Sequence, residues 1–456
     1  MQQKVLLVCN YFAPDHTIAA VRTSKIAKYL KENGYEIEVL TEKKIGEEDT
    51  LLKNDVKGIR IHYAENSSKY IRFFQFYEDM IKPYKKRRFD NLENRKRRNP
   101  KTGNIEFYPF ETAYPIIGSM DYIVGQIKQI DLFENIKGQL LQGKKFDYII
   151  TSYGDSFCYF VGKYFHKHHK KIIWIFDIRD SIYRYKFTPD YVSWIPKRYE
   201  KYIWKNADGI TGVSKGICKR VPGRFRKKVY CLTNGFDKTD RKNLKTDRIG
   251  SSKMIFSYTG SMYGGLCDLS VFFEAMGNLI RKKEIDSQNI EFHFAGNESA
   301  FQIFKSQAEI SGLGDHCVTH GRLSRQDALE LQQQSDILLI ASYDFQHNEG
   351  GVITGKALEY MAAGRPVVAV IMGDIEHSEL ADIIRKTNVG FAYEDYNGST
   401  DYEKLYEYLK KQYQRFTESG KIEYSPNEEE ILKYDYQYLC KRLIRIMNQV
   451  KRGKKR

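Results

Sequence analysis

The sequence predicts an α/β protein made of two doubly wound parallel sheets, and three observations predict it. The chain opens with a strand, a helix and a strand in succession. Short apolar runs of the same kind recur, with helical patterns between most of them, as far as residue 371. A polar, charged stretch from Lys238 to Lys253 divides these runs into two sets. Alternation of this kind belongs to parallel sheets covered by helices on both faces.

The run from Lys4 to Cys9 is apolar from Val5 onward, as a strand buried on both faces requires. A loop from Asn10 to Ala19 leads into a helix with Val21, Ile26, Ala27 and Leu30 on its apolar side. Gly34 closes that helix, and 36–41 forms the next strand. The unit recurs at 147–151, a helix near 157–168, and a strand at 171–178. Further strands are expected at 209–213, 229–233, 254–259, 291–295, 336–341 and 367–371. The expected domains are therefore 1–235 and 254–425, joined by a linker at 236–253. Residues 426–456 form a last helix and basic tail. Leu432, Tyr436, Leu439, Leu443 and Ile446 alternate four- and three-residue steps there, a stripe expected to pack back on the first domain.

Composition narrows the function. With 456 residues, 41% apolar, 34 Tyr and 26 Phe, the chain can build more than one core. No run of 18 apolar residues occurs, so no spanning helix is expected. The seven cysteines are scattered without a Cys-x-x-Cys, and the N-terminus lacks the layout of a secretory signal. A cytoplasmic location is expected from both. The formal charge of +16 favours an anionic partner. Ten Lys and Arg lie between Lys82 and Lys101 against Asp90 and Glu93, in an insertion at about 66–120. Phe73, Phe74, Phe76 and Tyr77 precede them; Phe107, Tyr108 and Phe110 follow. Such a cluster suits an anionic membrane surface, with a solvated loop as the plain alternative. No nucleic-acid recognition fold accompanies the charge, so nucleic acid is not expected.

The segment most informative about chemistry lies between the strands 336–341 and 367–371. It reads Gly350-Gly351-Val352-Ile353-Thr354-Gly355-Lys356-Ala357-Leu358-Glu359, continuing to Gly364. About three turns of helix are expected to end at Gly364. Lys356 in a first helical turn opposes the helix dipole unless something anionic binds there. Lys356 is therefore a candidate phosphate ligand, and Glu359 can accept two hydrogen bonds from a sugar diol. A structural turn with a solvated lysine is the alternative.

Six segments in order now resemble one family, the retaining GT-B glycosyltransferases of family 4. Val5 to Pro14 with Ala19 to Arg22 is similar to its first strand, loop and helix. Asp177-Ile178-Arg179-Asp180 resembles its cleft-facing strand end, and Ala207 to Ser214 and Leu232 to Asp237 the approach to its hinge. Ser257 to Gly265 resembles the first turn of the donor domain, and Gly355 to Pro366 the donor-site helix. Three departures stand out. The family's paired acids are eight positions apart, and Gly351 stands eight before Glu359, with Glu349 two residues earlier. Leu266 and Cys267 stand where a basic residue is usual. Arg179-Asp180 replaces a common His-Asp.

The resemblance implies a GT-B fold, two Rossmann-like domains facing a cleft. It implies transfer of a sugar from a UDP- or GDP-linked donor with retention of configuration, by front-face attack in which the leaving phosphate takes the acceptor proton. The implied donor-binding residues are Gly260, Ser261, Gly351, Thr354, Gly355, Lys356 and Glu359. Asp180 is the catalytic candidate, with Asp177 and Arg179 beside it, unless this set is an internal ion-pair network. Arg22 and His16 are candidates for the acceptor side, with a surface arginine the other reading of Arg22. The acceptor is expected to be a saccharide, lipid-linked at the inner face of the cell membrane, in capsule, lipopolysaccharide or glycolipid assembly. The chain has no Asp-x-Asp, and neither metal nor cofactor is expected. A sugar-nucleotide epimerase and a nucleotide-binding membrane scaffold are the competing functions.

Overall fold

The apolar run at the start of the chain becomes β1 (Lys4–Cys9), the middle strand of a seven-stranded sheet. The computed structural model describes residues 2–44, 46–90, 96–98, 105–107, 113–138, 145–183, 188–242, 244, 252–262, 267–344 and 351–454; for 84–90, 96–98 and 105–107 it describes the backbone alone. Lys82 apart, the side chains of the basic cluster therefore lie outside the described residues.

In chain order the first strands are β1, β2 (Glu36–Glu42) and β3 (Arg60–Ala64). A small antiparallel pair follows, β4 (Lys96–Arg98) and β5 (Ile105–Phe107). Then come β6 (Tyr148–Tyr153), β7 (Ile173–Ile178), β8 (Gly209–Gly212) and β9 (Val229–Cys231). The large sheet has the order β3-β2-β1-β6-β7-β8-β9, parallel throughout. The second sheet comprises β10 (Met254–Thr259), β11 (Ile290–Ala295), β12 (Cys317–Thr319), β13 (Ile337–Asp344), β14 (Val367–Gly373) and β15 (Gly390–Glu394). Its order is β12-β11-β10-β13-β14-β15, also parallel. Both sheets thus reverse their direction of growth once, between β1 and β6 and between β10 and β13. The crevice outside the strand ends at such a reversal is where open α/β sheets bind ligands.

Burial on both faces explains the continuous apolar strands. Val5, Leu7 and Cys9 face one core, while Leu6 and Val8 face another beneath the Ser156–His168 helix. In the second domain Phe256 and Tyr258 join an aromatic core, while Leu338 and Ile340 meet Leu358 and Tyr360 on the other face.

The last helix, Tyr436–Lys454, contributes Tyr436, Leu439, Leu443 and Ile446 to a core of the first domain, against the Ile18–Glu32 helix. Leu432 departs from the expected stripe and is exposed. The helix there, Glu428–Leu432, ends first, because the next residues pair with the hinge: Phe236 N–H donates to Tyr434 O and Tyr436 N–H to Phe236 O. The polar, charged segment expected as a linker is ordered in its first part. Lys238–Arg241 is a short 3-10 helix, and Asp237 and Asp240 are buried in ion pairs with Lys25.

Candidate active site

The carboxyl ends of the two sheets face one another. A Cβ on Gly355 would lie 3.8 Å from Ile18 Cγ1 of the first domain. Gly351 packs directly on the first domain as well: a Cβ there would fall 2.7 Å from Gly216 Cα. The Glu379 carboxylate accepts from Lys215 N–H at 2.8 Å and Gly216 N–H at 3.1 Å, fixing the same contact.

On the donor side, the end of β10 and the Gly355–Met361 helix bring Gly260, Ser261 and Lys356 together. Thr354 caps this helix, accepting from Ala357 N–H at 3.4 Å. The helix is seven residues long and Gly364 follows in a separate turn, so it is shorter than expected. The Lys356 ammonium lies 3.7 Å from the centroid of the Tyr258 ring and 3.5 Å from Ser261 O. Gly260 has φ +110, and a Cβ there would sit 3.3 Å from Lys356 Nζ. Glycine is thus favoured for the backbone shape, and a side chain there would also press on the Lys356 ammonium. Lys356 is half-buried, and loss of hydration pushes its ammonium down to about 7. An incoming anion would restore the charged form.

Glu359 is braced from two sides. Its Oε1 accepts from Gln332 Nε2 at 2.8 Å, and Arg325 Nη2 lies 3.7 Å from Oε2. Gly351 does not stand free for a donor sugar; its N–H donates to both Asp344 oxygens, at 2.9 and 3.1 Å. Burial pushes that Asp344 carboxyl up to about 6. Glu349 and 263–266 lie outside the described residues.

On the acceptor side the expected set divides. Asp180 is exposed just past β7, and Arg179 is half-buried, its Nη1 donating to Ala19 O at 2.7 Å. Asp177 is enclosed and cannot touch a substrate. Its oxygens accept from Arg22 Nη2 at 2.8 Å, Arg22 Nε at 3.0 Å, Thr211 Oγ1 at 2.7 Å and Ser152 Oγ at 2.8 Å. Burial opposes ionisation there, but the Arg22 fork holds the carboxyl below its ordinary range. Arg22 is likewise buried rather than on the surface or in the cleft; it also donates to Leu232 O and Thr233 O, tying β7 to the hinge. His16 is exposed on the loop after β1, its Nδ1–H donating to Glu47 O at 3.1 Å.

The carboxylates of Asp55, Asp237 and Asp240 lie within 4.8 Å of one another. The Lys25 ammonium already occupies the centre, 2.5 Å from Asp55, 2.9 Å from Asp237 and paired with Asp240. The group is a buried salt-bridge cluster with its cation in place. Arg325 continues it, 2.8 Å from Asp240. Neither Lys25 nor Arg325 was singled out in the sequence, because both lie in ordinary amphipathic helices whose partners are far away in the chain. The aromatic bed under Lys356 was also missed; Tyr258 reads as one more core strand residue.

No curated protein matches the chain significantly. Residues 253–405, about a third of the chain, match the family model described as Glycosyl transferases group 1. Among solved structures, a UDP-forming trehalose-phosphate synthase from Burkholderia xenovorans is similar at TM-score 0.59 and 12% identity, covering 99% of each chain. S. aureus TarM, in a complex with fondaparinux, a GlcNAc-glycerol and UDP, is similar at TM-score 0.57 and 12% identity over 98% of this chain and all of its own. The lipopolysaccharide outer core galactosyltransferase WaaB is similar at TM-score 0.53 and 14% identity, over 98% of this chain and 99% of its own. The second domain of this protein is thus a glycosyl transferases group 1 domain, in a chain whose two facing parallel-sheet domains have the GT-B fold of glycosyltransferases.

Proposed function

We propose that the protein transfers a sugar from a UDP- or GDP-linked donor to a saccharide acceptor, with retention of configuration and without a metal or cofactor. The observation that carries this reading is Lys356: a desolvated ammonium held over Tyr258, beside the Gly260–Ser261 turn, at the point where the group 1 domain's sheet reverses. The donor diphosphate lies against that turn and the ammonium. Glu359, braced by Gln332, takes a diol of the donor. As the bond from the sugar to the phosphate oxygen breaks, negative charge grows on the diphosphate, and Lys356 is already oriented to meet it. The acceptor hydroxyl forms its bond on the same face of the sugar, and its proton passes to the departing phosphate oxygen. Asp180, exposed at the end of β7, orients that hydroxyl, and Arg179 holds the strand end to the start of the Ile18–Glu32 helix.

The acceptor belongs to the lipid-linked class used in surface polysaccharide or glycolipid assembly at the inner membrane face. The polybasic stretch before residue 101 supports this, and one fold neighbour is named for lipopolysaccharide core synthesis. A product assay with UDP- and GDP-sugars tests the reading, with and without saccharide acceptors. Transfer that requires the acceptor is expected. Conversion of the nucleotide sugar alone would identify an epimerase, and nucleotide binding with neither transfer nor hydrolysis a scaffold.

A further inference from the structure

We infer that the Pro115–Ile136 helix seats the protein in an anionic membrane leaflet through the face turned away from its own domain. This helix has two apolar faces. Leu132, Phe133 and Ile136 are buried in the first domain's core, beside the Ser156–His168 helix. On the opposite side Ile116, Met120, Ile123, Ile127 and Ile130 are 69%, 48%, 43%, 37% and 43% exposed. Their four- and three-residue steps place them on one stripe, about 21 Å long at 1.5 Å per residue. Scattered exposed apolar residues need no explanation, but five on one stripe of one helix do. A helix apolar on both sides requires a cover on both.

The cover is a membrane lying along the helix. Among the described residues no helix is long and apolar enough to cross a bilayer. The Pro115–Ile136 helix is also fixed in the domain, since Asp131 accepts from Ser67 N–H at 2.8 Å and Ser67 Oγ at 2.7 Å. These bonds place the start of the Ser68–Asp90 helix against the end of its neighbour, so the two pack antiparallel. The Ser68–Asp90 helix exposes Phe73, Phe76 and Met80. Its far end leads into the ten Lys and Arg of 82–101, which face only two acidic residues in that stretch. Apolar side chains on two helices that flank a polybasic segment in the sequence match acyl chains beneath anionic headgroups. The same charge disfavours a second copy of this chain, because two molecules each carrying +16 repel.

The inference rests on the proposed lipid-linked acceptor for its purpose, but its test reads binding alone. Full-length protein is sedimented with vesicles of phosphatidylcholine containing phosphatidylglycerol, and with phosphatidylcholine alone. Binding is expected on the anionic vesicles, falling with added salt. Ile116→Gln, Ile123→Gln and Ile127→Gln combined should weaken partition by about tenfold or more, because each removes buried methylenes from the acyl boundary. Thermal stabilisation by UDP or GDP should be unchanged in that variant, which separates failure of the membrane face from failure of the donor site. In a second experiment Ile123→Trp should give emission that shifts to the blue on these vesicles and is quenched by brominated lipid. No vesicle binding, equal binding by the triple variant, or unquenched emission would overturn the inference. So would a drop in solution mass caused by the glutamine changes, which would mark the stripe as a protein interface.

Discussion

Lys356 is a lysine whose burial pushes it down to about 7, against an unperturbed value of about 10.4. Between these two values the unfolded chain binds a proton that the folded protein does not, so this group alone makes stability rise with pH across that window. Below about pH 7 both states carry the proton and the desolvation penalty is complete. A diphosphate reverses the preference by favouring the ammonium. Binding of UDP or GDP above pH 7 should therefore take up a proton, with affinity falling by up to tenfold per pH unit. Calorimetry in two buffers of different ionisation enthalpy measures that uptake, and Lys356→Ala subtracts the titration of the phosphates themselves. The variant should bind the diphosphate about 10- to 100-fold more weakly, the worth of a hydrogen bond to a charged group, while binding of the bare nucleoside hardly changes. Equal losses on nucleoside and diphosphate would remove Lys356 from the phosphate site. Asp180 differs in kind, being exposed at the strand end where the acceptor would lie. Asp180→Asn should lower kcat by about 10²-fold, the cost of a misplaced acceptor hydroxyl, with donor affinity unchanged. Near-normal turnover in the folded variant would show that the acceptor hydroxyl is oriented elsewhere.

At the scale of elements, the strands with long apolar runs were legible in the sequence because both of their faces are buried. The edge strands β3, β12 and β15 were not, because Arg60–Ala64, Cys317–Thr319 and Gly390–Glu394 are only partly buried and carry no continuous apolar signal. The donor segment was legible because each half carries a local signal, a glycine turn at Gly260 and a capped helix start at Thr354–Lys356, although the two halves lie far apart in the chain. Arg22 and Asp177 were not: an arginine near the start of a helix looks the same in sequence whether it turns to a cleft or forks onto a carboxylate 155 positions away. The turn after β10 makes a direct prediction. Gly260→Ala must hold a side chain at φ +110 and place a methyl against Lys356 Nζ. It should cost about 1–3 kcal/mol in urea unfolding and weaken UDP or GDP binding. Unchanged diphosphate affinity in that variant would show that the turn does not set the position of the ammonium.

The two domains are joined through a line of charges that no local stretch of sequence reveals. It begins with Lys25 and Lys28 on the first helix, passes through Asp55, Asp237 and Asp240, and reaches Arg325, which lies 3.7 Å from Glu359 in the donor domain. Its members lie far apart in the chain, so composition and spacing register them only as scattered charges. Their energetic weight comes from burial: Lys25 is fully enclosed, and its charge keeps the Asp237 carboxyl below its ordinary range although burial alone would raise it. Stability from Asp237 is therefore complete above the unfolded carboxylate value near 4 and is lost as pH falls below it. Lys25→Met removes the shared cation and leaves buried carboxylates short of one partner, a change that costs about 3–5 kcal/mol. Urea unfolding at pH 7 should show a loss of that size. The difference from the parent protein should shrink below pH 4, where the unfolded chain and the variant, which lacks the ammonium, take up a proton at Asp237 before the folded parent does. Arg325→Met should act at the other end of the line, lowering donor affinity through the Glu359 carboxylate it faces while Lys25 keeps the hinge folded. If instead Lys25→Met costs the same at every pH, the carboxylates are satisfied without that lysine, and the line of charges does not tie the hinge to the donor site.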